Sequence, residues 1–507
     1  MYNVIKDIMM SKKCIIIGSG LGGLSCGFIL SKNGYDVTIL EQNMQVGGCL
    51  QCFSRNQVKF ETGMHFIGSA DKGQTLARLL HYLEIDKDVK LSRLDRNGYD
   101  IISLKGEQFR FANGKEQFIN QMASYFPKEK DNLYRYFSLV ENVANASSLH
   151  TMNSADNDTP LSTEYQLRSI NSVIEEIIND EVLRGVLVGN LPLYAAERDK
   201  TPFSTHAFIM DFYNQSAFRI VGGSDNIAMS LVHSIERFGG KVLTHQKVAR
   251  IECNERQATG VTTVKGDFYP ADIVISDTHP IRTLEMVESP LLRPAYRHRV
   301  ESLPNTTGGF SVYLRFKDNV VPYMNSNFYG YNQSSPWNCE KYDSGTWPKG
   351  YLYMHLCKED NQKFASSGVI LSYMNFNEVS KWQGTHIENR GDDYKEFKKN
   401  KAEILLNRVE QDFPGLRNNI AEYYTSTPLT YLDYTGTEGG SMYGVAKDIS
   451  LGLSCRIHHR TKIPNLLLTG QNINSHGILG VLVGTIVTCS ELLTSELIFN
   501  QIREANR

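Results

Sequence analysis

No run of about 18 uninterrupted apolar residues occurs in this 507-residue chain, so a membrane-spanning helix is not expected. Charge of one sign is missing too: 53 Lys and Arg face 55 Asp and Glu, for a net charge of −2. A balance that close argues against nucleic acid as a partner. Nine cysteines, odd in number and thinly spread, form no disulfide framework and fit a reducing compartment. Cys14 and Cys26 read as small buried hydrophobes. No metal-ligand spacing such as HxxxH stands in a supporting context, and no internal repeat recurs. Met1 to Met10 lack a basic n-region and a long apolar h-region, so they read as a short arm rather than a signal peptide. What is left is a globular composition, 41% hydrophobic and 21% charged. The chain is too long for one simple core, and two or three domains are expected.

The informative stretch is Gly18-Ser19-Gly20-Leu21-Gly22-Gly23, between the apolar run Cys14-Ile15-Ile16-Ile17 and an apolar helix. A second β-like run, Asp36 to Leu40, ends on Glu41. A lone GxGxxG says little, but strand, glycine turn, helix and an acid at the next strand tip together predict a dinucleotide site. Gly18 permits the tight turn, Gly20 lets the backbone approach a pyrophosphate, and Gly23 lets helix and strand pack closely. The helix N-terminus then faces the phosphates, and Glu41 accepts hydrogen bonds from a ribose diol.

Three separated blocks, 12–70, 215–280 and 462–507, are expected to assemble one cofactor domain. The second holds Phe218 to Gly223, a helix through Ile227, Leu231 and Ile235 closed by Gly239-Gly240, and short strands at 241–244, 247–251, 260–264 and 271–276. The third runs from Pro464 through a strand to Gly470-Gln471, then into an apolar helix from Ile478. Residues 71–214 carry helical periodicity, as in Leu76, Leu79, Leu80 and Leu83, or Val173, Ile174, Ile177 and Ile178. The polar stretch 145–163 reads as a mobile loop. Residues 281–461 are strand-like and aromatic, with one charged helix from about Tyr394 to Gln411. The segments 71–214 and 281–461 are therefore expected to form a substrate domain, inserted into the cofactor domain. The aromatic segments Tyr323 to Tyr331 and Trp337 to Tyr353 suit a long apolar ligand.

Together the blocks resemble the FAD-dependent phytoene desaturase, carotenoid isomerase and retinol saturase family of the amine oxidase-like flavoproteins. Glu41, five residues, then Gly47-Gly48 is similar to its extended fingerprint, which simple NAD dehydrogenases lack. A second loop without side chains would lie along the longer ribityl–pyrophosphate arm of FAD. Phe60 to Gly68, with His65, resembles the retinol saturase segment after the glycine pair, and Leu468 to Asn472 with Gly477 to Gly480 resembles its C-terminal flavin segment. The resemblance implies an α/β fold: a Rossmann-type, glutathione-reductase-like FAD domain with an inserted mixed α/β substrate domain. It implies FAD, with NAD(P)H a candidate electron donor, and a saturase or desaturase acting on a C=C or C–C bond of a hydrophobic carotenoid- or retinoid-like substrate. By it, Val248 meets the adenine end, and Gly470 and Gln471 the ribityl-phosphate side. Ile478 and Leu479 then open the helix that faces the flavin pyrimidine edge. With a lipid-soluble substrate and no spanning segment, a cytoplasmic enzyme is expected, and peripheral membrane contact is a candidate that composition alone does not show.

Two alternatives remain: a flavin amine oxidase, many of which end the C-terminal strand with Gly-Glu rather than Gly470-Gln471, and a polyene cis–trans isomerase that uses reduced FAD without net redox change. Cys49 and Cys52 raise a rival, the flavin disulfide reductases, but only Leu50-Gln51 separates them where four residues are usual, and a second GxGxxG is missing. They read as two small residues packed near the flavin. Hydride chemistry at flavin N5 needs at most one acid or base from the protein. His65 and His476 flank glycines expected to touch the flavin, and either could carry a proton at neutral pH. A helix N-terminus makes His476 the poorer acid and His65 the first choice.

Overall fold

In the computed structural model, residues 11–147, 152, 164–385, 387 and 389–507 are described, the side chain of Leu453 excepted. Most of the stretch 145–163 read as a loop lies outside them.

A five-stranded sheet forms the first layer, in the order Lys241–Leu243, Asp36–Leu40, Lys13–Ile17, Ile273–Ser276, Leu466–Leu468. Every pairing in it is parallel. Parallel strands covered on both faces read as continuous apolar runs, and Ile15, Ile16 and Ile17 are all buried. Ile16 pairs with Ile39 on one side and Ile275 on the other. Helix Leu21–Lys32 is buried on every residue but the last. It packs between helices Asp225–Arg237 and Gly477–Cys489. The strands thus come from three stretches far apart in the chain, and the helix that covers the glycine turn is held by residues more than four hundred positions away.

The second layer is a seven-stranded sheet in the order Ile420–Ser426, Gly308–Phe316, Ser367–Met374, Gly350–His355, Asn327–Tyr331, Asp100–Leu104, Glu107–Phe111. It is antiparallel apart from the parallel pairing of Asn327–Tyr331 with Asp100–Leu104. Side chains alternate between faces. Phe310, Val312 and Leu314 join Leu405, Leu406 and Val409 of helix Asp392–Asp412 in one cluster, whereas Tyr329, Tyr331, Leu352 and Tyr373 join helices of the 115–215 region in another. The helical reading of 71–214 therefore needs correction. It holds for Thr75–Tyr82, Lys115–Tyr125, Lys130–Asn145, Ile170–Ile177 and Phe203–Gln215, but the hairpin at 100–111 is two strands of the seven-stranded sheet. Its turn is Lys105-Gly106, with φ of +51° and +91°. Two residues at positive φ match the twist of paired strands, and an Asn or Asp in place of Lys105 would have signalled that turn. No described helix is long and apolar enough to cross a membrane.

Because Ile16 sits at 0% exposure in the middle of the parallel sheet, Ile16→Ala leaves a void that the covering helix cannot close. The expected cost is about 2–5 kcal/mol, read as a lower denaturant midpoint. A variant that unfolds at the wild-type midpoint would show that this sheet does not limit stability.

Candidate functional site

The carboxyl ends of the parallel strands open onto a cavity of about 670 Å³. A crevice at that edge is where open α/β sheets bind ligands. Gly18 turns the chain at φ +96°, and its N–H bonds the carbonyl of Leu40 at 2.9 Å. Behind it three chain segments meet with no room for side chains. A Cβ on Gly20 would lie 2.5 Å from Asp277 Oδ2; on Gly22 it would lie 2.5 Å from Asp277 Oδ1 and 2.8 Å from the Gly470 nitrogen. A Cβ on Gly23 would strike the carbonyl of Gly18. Gly48 in turn lies against the Cα of Gly20, 3.2 Å from where its own Cβ would be.

Gly18, Gly20, Glu41, Gly47, Gly48, Val248, Gly470, Gln471 and Ile478, all expected around a dinucleotide, line this one cavity. Gly23 does not; it packs the helix onto the turn. Leu479 points elsewhere, into a separate cavity of about 300 Å³ with Ser69, Arg78 and Phe212. Successive residues of an α-helix point about 100° apart, so Ile478 and Leu479 face different cavities. Glu41 is held in place: Oε2 accepts from the Ser19 N–H (3.0 Å) and Oγ (2.6 Å), and Oε1 from the Asn43 N–H at 2.8 Å. Oε1, with one donor on it, retains a lone pair for a ribose hydroxyl.

The two histidines part company. His65 lines the cavity, while His476 stands behind it against the Tyr443 ring, centroids 4.6 Å apart. Each has one buried ring nitrogen without a partner, Nδ1 of His65 and Nε2 of His476. Burial lowers both to a pKa of about 4, helped by the charge of Arg219 on His65 and of Lys447 on His476. Both are neutral at pH 7, and burial rather than the helix N-terminus accounts for most of it. The cysteines separate as well. Cys49 lines the cavity, but Cys52 turns away to donate to Glu61 Oε2 at 3.3 Å. Burial raises both thiols, Cys49 to about 11, the opposite of what a redox thiolate needs.

None of the residues from 323 to 353 lines the cavity, which corrects the sequence reading of those aromatic segments. Strand alternation commits them to the two covered faces of the seven-stranded sheet. The walls facing that sheet are instead Phe66, Leu193, Tyr213, Leu371, Met442 and Tyr443, with Tyr431 nearby. Their hydroxyls are engaged by backbone carbonyls: Tyr213 with Phe66 (3.3 Å), Tyr443 with Pro192 (2.8 Å) and Tyr431 with Thr62 (3.0 Å). The ring faces thus present an apolar surface. Sequence reasoning missed these residues because they come from stretches far apart in the chain. It also missed Asp277, although its place directly after strand Ile273–Ser276, next to the glycine strand, was a usable signal.

The residues present suit FAD: a side-chain-free cradle at a helix N-terminus, an anchored acid at the far end, and an apolar chamber beyond. The chain is 26% identical to the all-trans-retinol 13,14-reductase of Danio rerio, over 95% of this chain and 86% of that protein. It is 22% identical to the chloroplastic prolycopene isomerase of Daucus carota, over 95% and 80%. Its fold is similar to the crystal structure of an oxidoreductase from Methanosarcina mazei, with a TM-score of 0.66 at 17% identity, over 94% of this chain and 100% of that one. Residues 21–482 match the model of the flavin containing amine oxidoreductases, and the chain belongs to that family.

Proposed function

We propose that the protein is an FAD-dependent oxidoreductase acting on a C=C or C–C bond of a hydrophobic, isoprenoid-like substrate of the retinoid or carotenoid class, with saturation favoured over desaturation. One observation carries the reading: a single cavity joins the glycine cradle to an apolar chamber whose tyrosine hydroxyls are already tied to backbone. Such a chamber offers a polyene contact area in which the tyrosine hydroxyls need no partner from the substrate. Bound FAD supplies hydride donation or acceptance at N5. Similarity to the retinol reductases favours saturation; similarity to the prolycopene isomerase supports, as a second reading, cis–trans isomerisation with no net redox change. NAD(P)H remains the proposed electron donor for the saturase.

The chain's own residues then have separable tasks. Glu41 and the Val248 region hold the adenosine end. Gly18, Gly20, Gly47, Gly48, Gly470 and Gln471 line the path of the pyrophosphate and ribityl chain. Phe66, Leu193, Tyr213, Leu371, Met442 and Tyr443 exclude water and orient the substrate. His65 is placed to handle the proton that accompanies hydride transfer. Being neutral, it passes a proton, accepting at one ring nitrogen and giving from the other, and does not store one. His476, behind Tyr443, serves at most to position the loop before helix Gly477–Cys489.

The purified protein is expected to be yellow and to release one FAD on denaturation. Gly20→Val, which drives a side chain into Asp277 and the cradle, is expected to be colourless; retention of full flavin content would overturn the placement. Anaerobically reduced holoprotein mixed with a panel of polyenes should yield a product heavier by two hydrogens. An unchanged mass with altered geometry would instead favour the isomerase, and peroxide released with amines an amine oxidase.

His65→Ala is expected to keep FAD and to slow turnover by roughly a hundredfold or more, with His476→Ala much milder. Full activity in His65→Ala would remove His65 from the proton path. Since burial holds His65 near a pKa of about 4, the wild-type rate profile should show no transition from this histidine between pH 6 and 7.

A further inference from the structure

Asp277 is an ionisable side chain set inside the glycine cradle. A Cβ on Gly20, Gly22 or Gly470 would strike its carboxylate oxygens, and the residue lines the cavity together with Gly18, Glu41 and Cys49. It also lies beside the first turn of helix Leu21–Lys32, whose early N–H groups have no partner within the helix. Those N–H groups are what a pyrophosphate would use. An ionised Asp277 would compete for them and would place a negative charge against two more on the phosphates.

The surroundings do little to keep it charged. Burial raises its pKa to about 7, and the Glu41 carboxylate pushes the same way; only the N–H groups of Gly20 and Gly23 pull back. The other charged or titratable groups near it are accounted for. Glu41 is held by Ser19 and Asn43. Cys49 is raised to about 11 and stays a thiol. His279, two residues on, accepts from the Ile281 N–H through Nδ1 and meets Asn305 through Nε2, and burial lowers it. Arg282 is paired with Glu285 and Glu438.

We propose that Asp277 makes cofactor binding proton-linked: it receives the pyrophosphate as the neutral acid, donating its O–H to a phosphate oxygen, so that binding above neutral pH takes up one proton from solvent. The balance is simple: one carboxylate and one solvent proton become one carboxylic acid, and no electrons move. This rests on the FAD reading of the site. The sign follows from linkage. Holoprotein carries one proton more than apoprotein wherever free Asp277 is ionised, so affinity is flat below the apoprotein's pKa and falls as pH rises above it. The same carboxyl then acts as a specificity element, since a ligand with fewer phosphate charges would lose less on ionisation.

The test is release of FAD from diluted holoprotein, followed by flavin fluorescence between about pH 6 and 8.5. In wild type the dissociation constant is expected to rise by up to about tenfold per pH unit above about pH 7, and release in weakly buffered solution should liberate close to one proton at the upper end. Asp277→Asn, which keeps the shape and cannot ionise, should hold FAD with no such slope and release no proton. Glu41→Gln should bind more weakly and keep the slope. A wild-type profile flat in pH would overturn the inference while leaving the FAD reading intact, and so would an equal slope in Asp277→Asn or its loss in Glu41→Gln. Protein that holds no FAD at any pH would overturn both. The wild-type slope and proton count decide the matter even if a variant fails to fold.

Discussion

Close backbone approach at one point governs most of what this molecule can do. The glycine turn, the end of strand Ile273–Ser276 and the end of strand Leu466–Leu468 meet so tightly that a Cβ on Gly22 would be 2.5 Å from Asp277 and 2.8 Å from Gly470. That contact lets the last strand join the sheet beside the 273–276 strand, and it aims the following helix, Gly477–Cys489, back over Leu21–Lys32. The cavity depends on glycine at positions 20, 22 and 470 of the seam, where any Cβ would meet Asp277. Ordinary side chains there would fill the crevice and push the sheet apart at its functional edge.

Beyond the cradle, the shared theme is burial without ionic relief. His65 and His476 are forced neutral, the thiols of Cys49 and Cys52 are raised, and the carboxyls of Glu61, Asp100 and Asp277 all move up to about 7. Desolvation is the first cause in every case. An interior of this kind disfavours nucleophilic catalysis, which needs a thiolate or another activated group. It suits chemistry in which carbon and hydride do the work and the protein contributes shape and dryness. The tyrosines make the same point: with their hydroxyls bound to carbonyls, they act as apolar panels.

How much of this could be read in the residues alone divides by distance along the chain. The glycine turn, Glu41, the Gly47-Gly48 pair and the strand that ends at Gly470 were legible because each is a local pattern with a known backbone demand. Their convergence on one cavity follows from parallel-sheet topology. The apolar part of the cavity was not legible: Phe66, Leu193, Tyr213, Leu371 and Met442 carry no pattern that marks them, and only the packing of two sheets and a helical layer brings them together. The aromatic runs that drew attention, such as Tyr351 and Tyr353, are fully buried core. Strand alternation explains them without a ligand. Asp277 falls between these cases, since its position at a strand end was visible and its contacts with three glycines were not.

The segmented sheet also bears on how the molecule comes into being. Of the strands of the parallel sheet Lys13–Ile17 is made first, one of its neighbours, Ile273–Ser276, follows some 260 residues later, and the edge strand Leu466–Leu468 some 450 residues later. At common elongation rates of roughly 5–20 residues per second, the apolar glycine-turn helix waits on the order of half a minute or more for the helix that finally covers it. Contacts of such long sequence separation form late and slowly. The seven-stranded sheet, whose order interleaves strands from 100 to 426, can condense in the meantime. Until then the parallel sheet is open along the edge that Leu466–Leu468 will close.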